Sequence, residues 1–130
     1  MSPRSKEFID QARDRVAAAP ELFAAGHLEA AVSAAYYAML YAARAALSEH
    51  EEYARRHGGT WALFHKRFVA TGAFDQHLHS LAQQAQEARE GGDYEAVTPD
   101  PSDAERFVDG AADFVTAVEA MLGDSGNSTD

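Results

Sequence analysis

The sequence has 130 residues, a formal net charge of −10 and no cysteine. This length lets one domain bury about two-thirds of the surface that its unfolded chain exposes, and the missing cysteine excludes disulfides and thiolate sites. An acidic chain is a poor general binder of nucleic-acid phosphates. Here, however, ten acids against Arg106 alone lie between Asp93 and Asp130, so residues 1–92 are nearly neutral.

The N-terminus has no apolar run of signal-peptide length, and no window approaches the roughly 18 apolar residues of a membrane span. We therefore expect a soluble cytoplasmic protein without membrane association. Alanine is abundant and β-branched runs are absent, which favours helix throughout.

The first helix is predicted to start at Pro3, after Ser2 as its cap, to kink or restart at Pro20 and to end at Gly26. The second shows apolar residues at i, i+3, i+4 and i+7 spacing from Leu28 onward. Two Glu–Arg pairs at i, i+4 spacing follow, and they predict that this helix continues to about residue 56.

Three further helices are predicted over 60–72, 75–91 and 102–122. Glycines end the first two of these, and Ser102 with Glu105 forms a capping box for the last. Short connections favour antiparallel neighbours. The prediction is an all-α, five-helix up-and-down bundle in a single domain over 1–122, followed by a disordered polar tail over 123–130.

The second helix carries an aromatic segment, 34–47, that reads AAYYAMLYAARAAL. Tyr36 shares the main apolar stripe, whereas Tyr37, Tyr41 and Arg44 lie at i, i+4 and i+7 on an adjacent face. Either these tyrosines are core residues whose hydroxyls reach a partner, or Tyr37, Tyr41 and Arg44 line a pocket. A third line holds small residues at i+4 spacing and predicts a central helix or a dimer seam: Ala30, Ala34, Ala38 and Ala42.

The order of several short motifs resembles the HEPN family (higher eukaryotes and prokaryotes nucleotide-binding domain), in its small stand-alone prokaryotic branch. The motifs are Tyr36-Tyr37-Ala38 with Ala43-Arg44, His57-Gly58, Thr71-Gly72 and Arg89 to Tyr94. The resemblance runs from about residue 5 to 122. One departure is Ala34, where this branch often has arginine.

The resemblance implies a HEPN-type bundle, a homodimer, and a minimal nucleotidyltransferase as partner in a toxin–antitoxin-like pair, with nucleotide or RNA as ligand. Two alternatives are a metal-independent ribonuclease toxin with a non-standard site and a simple nucleotide-binding domain. By the same resemblance, ribonuclease members carry Arg-x(4–6)-His, which would supply a base near the 2′-hydroxyl and a cation near the phosphorane.

Neither match to that ribonuclease motif is convincing. Arg44 and His50 fit the spacing, but on a continuous helix six residues leave their side chains about 120° apart. Arg89 sits at the expected position, but Asp93-Tyr94 stands where the histidine belongs, and aspartate is a weak base at neutral pH. Either Arg89 and Asp93 pair across a helix end, with Tyr94 packed under the turn, or these residues form a binding or modification site.

The predicted binding cleft is Tyr37, Tyr41, Arg44, Arg89, Asp93 and Tyr94, with no catalytic residue assigned. His77 and His79 are i, i+2 on a helix and point to different faces, so no metal site is expected. The sequence also predicts no cofactor.

Overall fold

The computed structural model describes residues 1–52, 54, 56–95 and 98–127, with the side chains of residues 92–95 and 124–127 outside that description. Five helices appear in those ranges, without any strand: α1 (Pro3–Ala24), α2 (Leu28–Ser48), α3 (His57–Phe64), α4 (Gln76–Glu95) and α5 (Pro101–Asn127). A π-helical turn, His65–Val69, continues α3. The predicted all-α bundle of five helices is confirmed.

Helix α2 lies at the centre and contacts α1, α3, α4 and α5. Its alanines explain this position, because small side chains allow neighbouring helices to approach closely. Ala38 and Ala42 are completely buried within one chain, whereas Ala30 is exposed and Ala34 partly buried. The buried half of the alanine line therefore needs no second chain to cover it.

The start of α1 follows the prediction, since Ser2 Oγ accepts a hydrogen bond of 3.1 Å from the backbone N–H of Ser5. Helix α1 continues through Pro20 to Ala24. Gly26 then takes a φ of +84°, a left-handed conformation that favours glycine.

The predicted extension of α2 to residue 56 is wrong, because α2 ends at Ser48. Two of the three glutamates that follow have partners outside the helix. Glu49 accepts from the backbone N–H of Ser2 at 3.1 Å, and Glu52 pairs with Arg67. A Glu–Arg pair on a helix contributes only about 0.2–0.5 kcal/mol, so contacts with distant residues decide where the helix stops.

Three other helix ends also differ from the prediction. Helix α3 begins at His57 rather than at Thr60, and Thr60 Oγ1 donates to the Arg56 carbonyl at 3.2 Å. Helix α4 continues past Gly91 to Glu95, because glycine in a helix costs only about 1 kcal/mol. The cap of α5 is Asp100, whose Oδ1 accepts from the backbone N–H of Ser102 at 2.8 Å.

Helix α5 extends to Asn127, so helical backbone covers residues 123–127 of the predicted tail. Residues 128–130 lie outside the described residues. None of the helices that the structure describes has the length and apolar character needed to cross a lipid bilayer.

Candidate nucleotide or RNA cleft

The floor of the candidate cleft is a pair of buried rings from α2 and α3. Tyr36 is 0% exposed and Trp61 is 3% exposed. Trp61 Nε1–H donates to the Tyr36 hydroxyl at 3.2 Å. Burial raises the pKa of Tyr36 to about 12, so this phenol is neutral at physiological pH. Tyr36 is therefore a core residue whose hydroxyl has a partner, as one of the two sequence-based interpretations expected.

Tyr37, the next residue, is only half-buried and faces side chains from two other helices. Its ring meets the His57 ring edge-on, with ring centroids 5.8 Å apart. The guanidinium of Arg89 on α4 lies over the Tyr37 ring, 5.1 Å from its centroid, and 5.6 Å from that of Tyr36. Three helices thus bring an aromatic ring, an imidazole and a guanidinium to one place.

The two arginines beside His57 make the cleft locally cationic. The pKa of His57 is lowered mainly by burial, and then by the charges of Arg44 and Arg89. Glu90 acts in the opposite direction. His57 is consequently held in its neutral form at pH 7, with one nitrogen able to accept a proton.

Aromatic and guanidinium groups continue from the cleft onto α1. The Tyr41 ring lies 6.0 Å from that of Tyr37 and stacks on Phe8 at 6.1 Å. Arg15 lies over Tyr41, 4.7 Å from its centroid, and Arg4 lies over Phe8 at 5.8 Å. We call Arg4, Phe8 and Arg15, which continue from Tyr41 along α1, the α1 strip.

Four of the six predicted cleft residues come together in the structure. Tyr37 is close to both Tyr41 and Arg89, and Arg44 acts electrostatically on His57, which contacts Tyr37. We call Tyr37, Tyr41, Arg44, His57 and Arg89 the tyrosine–arginine cleft.

The other two predicted residues, Asp93 and Tyr94, belong to the backbone of α4. Their side chains lie outside the described residues. The proposed pairing of Arg89 with Asp93 stays a prediction.

The sequence analysis used His57 as a motif residue, and it missed Trp61 and the α1 strip. His57 opens α3 and faces the cleft. The missed groups reach the site from α1 and α3, at sequence separations that a helical periodicity does not reveal. Of these residues, only His57 could have been predicted from the sequence, because a histidine directly before two glycines starts a new segment.

The expectation that one continuous helix carries both Arg44 and His50 is wrong. A continuous helix does not separate them, since α2 ends at Ser48. His50 is exposed and its ring lies 5.7 Å from that of Phe68, while Arg44 influences His57 instead.

The arrangement suits two kinds of chemistry. Half-buried aromatic faces flanked by guanidiniums stack on nucleobases and contact phosphates. A neutral imidazole beside two cations can move a proton while the cations stabilise developing negative charge. Among the described residues, no group of three or more His, Cys, Asp or Glu side chains is arranged to hold a metal ion.

Comparison with known proteins agrees with this fold. The family model described as HEPN domain matches residues 5–121. A UPF0332 protein of Thermotoga maritima is 30% identical over 122 residues, which cover 93% of this chain and 87% of that protein. A UPF0332 protein of Gloeobacter violaceus is 33% identical over 94 residues, covering 72% of this chain and 75% of that protein.

A third relative, from Methanocaldococcus jannaschii, bears the name "Putative toxin". It is 30% identical over 92 residues, which cover 71% of this chain. The alignment spans 63% of the archaeal protein, which is less than two-thirds of its length.

Proposed function

This chain belongs to the HEPN domain family, and on that premise we propose that it is a cytoplasmic interaction module. Its partner is a minimal nucleotidyltransferase, in a toxin–antitoxin-like pair, and the tyrosine–arginine cleft binds a nucleotide or RNA. The toxin name of the archaeal relative supports the pairing.

One observation supports the choice of ligand class. The guanidinium of Arg89 lies over the half-buried Tyr37, 5.1 Å from its ring centroid. A guanidinium on an aromatic face is a ready platform for a base and its phosphate. Arg44 adds a second positive charge next to His57. The chain is acidic as a whole, yet residues 1–92 are nearly neutral, and at His57 the charges of Arg44 and Arg89 act against that of Glu90.

Binding is tested by fluorescence anisotropy with a labelled single-stranded RNA and with ATP, at several salt concentrations. Arg89→Gln should weaken RNA binding and lower the slope of log K against log salt by about 0.7, the value for one phosphate contact on a single strand. The control is Arg106→Gln, because Arg106 lies outside the cleft and bonds Gln84 at 2.8 Å. Equal effects of the two variants, or no wild-type binding to either ligand, contradict the proposed cleft.

The partner is tested by co-expression with any small nucleotidyltransferase encoded beside this gene. We expect the two proteins to co-purify in a stoichiometric complex. If such a neighbour is encoded and does not bind the chain, the interaction proposal is wrong, whereas the cleft proposal still depends on the RNA and ATP titrations.

We also propose that the chain forms a homodimer, as the family resemblance implies. Sedimentation at micromolar concentration should give twice the mass of one 14.1 kDa chain. A mass of one chain across that range contradicts the dimer.

A second candidate function is metal-independent RNA cleavage at the same cleft. It is favoured by the neutral His57 beside Arg44 and Arg89, a base with two cations. Wild-type protein is incubated with RNA and EDTA, next to His57→Ala and His50→Ala. Cleavage that only His57→Ala abolishes supports this candidate, whereas loss on His50→Ala points to Arg44 and His50. No wild-type cleavage leaves the binding module as the function.

A further inference from the structure

A cavity of about 490 Å³ lies between α3 with its π-helical turn and α4, and Trp61 is part of its lining. Trp61 and His79 are its buried floor, each less than 5% exposed. Glutamines and a serine line its walls, and none of the described lining residues is a lysine, arginine, aspartate or glutamate. A cavity without charged side chains gives little attraction to a free phosphate or to a basic peptide.

His79 has a buried ring nitrogen without a hydrogen-bond partner. Its Nε2 has no partner among the described residues, while the backbone of Trp61 interacts with the ring. In the tautomer that is protonated at Nδ1, Nε2 carries a lone pair that a metal ion can use. Histidines that bind metals usually have a carbonyl, carboxylate or water at the other ring nitrogen.

A second imidazole lies next to the His79 ring. His65 is exposed and belongs to the π-helical turn, and its ring centroid is 5.3 Å from that of His79. Two imidazoles on one tetrahedral ion, with metal–nitrogen distances of about 2.0–2.1 Å, have ring centres about 5 Å apart. π-Helical turns occur frequently at functional sites, and this one sets the position of His65.

Glutamine amides supply further oxygen donors in the same cavity. Gln76 and Gln83 line it together with His79. They precede and follow His79 by three and four residues, so all three share one face of α4. The i, i+2 pair of His77 and His79 does not have this property, which is why the sequence predicted no metal site on α4.

We propose that His65 and His79 bind one divalent transition-metal ion, of the Zn²⁺ and Ni²⁺ class, with glutamine oxygens or water in the remaining positions. Imidazole suits these ions, whereas Mg²⁺ and Ca²⁺ require oxygen donors, usually carboxylates. Among the residues that the structure describes, the site holds two histidines without a third His, Cys, Asp or Glu, so its affinity is modest and its coordination stays open. This site is separate from the tyrosine–arginine cleft and does not depend on the proposed function.

The chain provides its own probe, because Trp61 is the only tryptophan and its ring centroid is 5.9 Å from that of His79. Ni²⁺ is titrated into the tag-free full chain, with Trp61 fluorescence and calorimetry as readouts. We expect saturable quenching with one ion per chain. Mg²⁺ should cause no change.

Two matched histidine variants decide the assignment. His65→Ala removes an exposed side chain and should weaken Ni²⁺ binding at least about tenfold, the lower range for losing even an outer partner of a ligand. His77→Ala removes a different exposed histidine, which lies on α4, and should bind Ni²⁺ as tightly as the wild type. Circular dichroism confirms that both variants are folded.

Three outcomes overturn the proposal. These are no saturable quenching in the wild type, unchanged binding by His65→Ala, or an equal loss in His77→Ala. In the first case, His79 is a packed core histidine whose cavity holds no metal ion.

Discussion

The guanidinium of Arg89 on α4 lies 5.1 Å from the ring centroid of Tyr37 on α2. Neither residue is fully buried, so the contact closes one side of the cleft without filling it. It also fixes a positive charge near His57, to whose lowered pKa Arg89 contributes after burial and Arg44. Arg89 thus forms part of the binding surface and adds to the effects of burial and Arg44 that lower the pKa of the imidazole.

The first prediction concerns that protonation state. By NMR titration, the pKa of His57 should lie below the ordinary value of about 6.5. The ring faces Tyr36 and Tyr37 of α2 as well as charged groups on α2 and α4. Arg44→Gln should move the pKa back toward 6.5, because it removes the largest charge effect. Arg106→Gln is the control, and a pKa that does not differ between wild type and Arg44→Gln contradicts the assigned cause.

The same shift has a consequence for stability. Because the folded-state pKa of His57 is lowered, the unfolded chain binds more protons as pH falls below about 6.5. The contribution of His57 is therefore fully present above that pH and is lost as pH falls through the folded pKa. His57→Gln should reduce the slope of unfolding free energy against pH in this window, whereas substituting the exposed His77 should not.

The second prediction compares two tyrosines of α2. Tyr36 is fully buried and accepts a hydrogen bond from Trp61, so Tyr36→Ala should cost about 3–5 kcal/mol, the range for large aromatic truncations. Tyr36→Phe should cost about 1–3 kcal/mol, because the buried indole N–H then has no partner. Tyr41 is only partly buried, and Tyr41→Ala should cost less than Tyr36→Ala. Urea unfolding with unchanged m-values measures all three, and equal losses at both positions would argue that Tyr41 faces no cleft.

The third prediction concerns the close approach of α4 and α5 at Gly110. A Cβ atom at Gly110 would lie 1.8 Å from Leu81 Cδ2, whereas one at Gly123 would meet nothing within 4 Å. Both glycines belong to α5, where alanine is favoured over glycine by about 1 kcal/mol. Gly123→Ala should therefore stabilise the chain, whereas at Gly110 the Leu81 side chain must move to make room, so Gly110→Ala should be less stable than Gly123→Ala. Adding Leu81→Ala should remove most of the clash, and melting temperatures in the opposite order would refute the proposed contact.

The sequence predicts those features that depend on residues close together along the chain. The i, i+4, i+7 spacing places Tyr37, Tyr41 and Arg44 on one face of α2, and the structure keeps them there. It does not predict where α2 ends, because Glu49 and Glu52 find partners outside the helix, at Ser2 and Arg67.

The cleft residues that come from other helices cannot be predicted from the pattern of α2 either. His57 and Arg89 arrive from α3 and α4, and their contact with Tyr37 depends on how those helices pack. The pairing of His65 with His79 likewise joins two elements that no periodicity connects. Single-helix patterns therefore identify one wall of the site, and tertiary packing supplies the rest.

The last prediction concerns the length of the ligand. The α1 strip extends the aromatic surface from Tyr41 to Phe8, and Arg15 adds a cation over Tyr41. Each base that stacks on an aromatic side chain is worth about 1–3 kcal/mol. A ligand that spans the cleft and the strip therefore gains contacts that a mononucleotide does not reach.

Phe8→Ala and Arg15→Gln should weaken binding of single-stranded RNA at least fivefold while leaving ATP binding unchanged. Arg89→Gln should weaken the binding of both ligands, because Arg89 lies in the cleft itself.

Arg13→Gln is the matched control on α1, since Arg13 pairs with Glu119 of α5. If Phe8→Ala weakens ATP and RNA equally, the strip acts only through the stability of the cleft. If it weakens neither, the ligand stops at Tyr41, and the site is built for a single nucleotide.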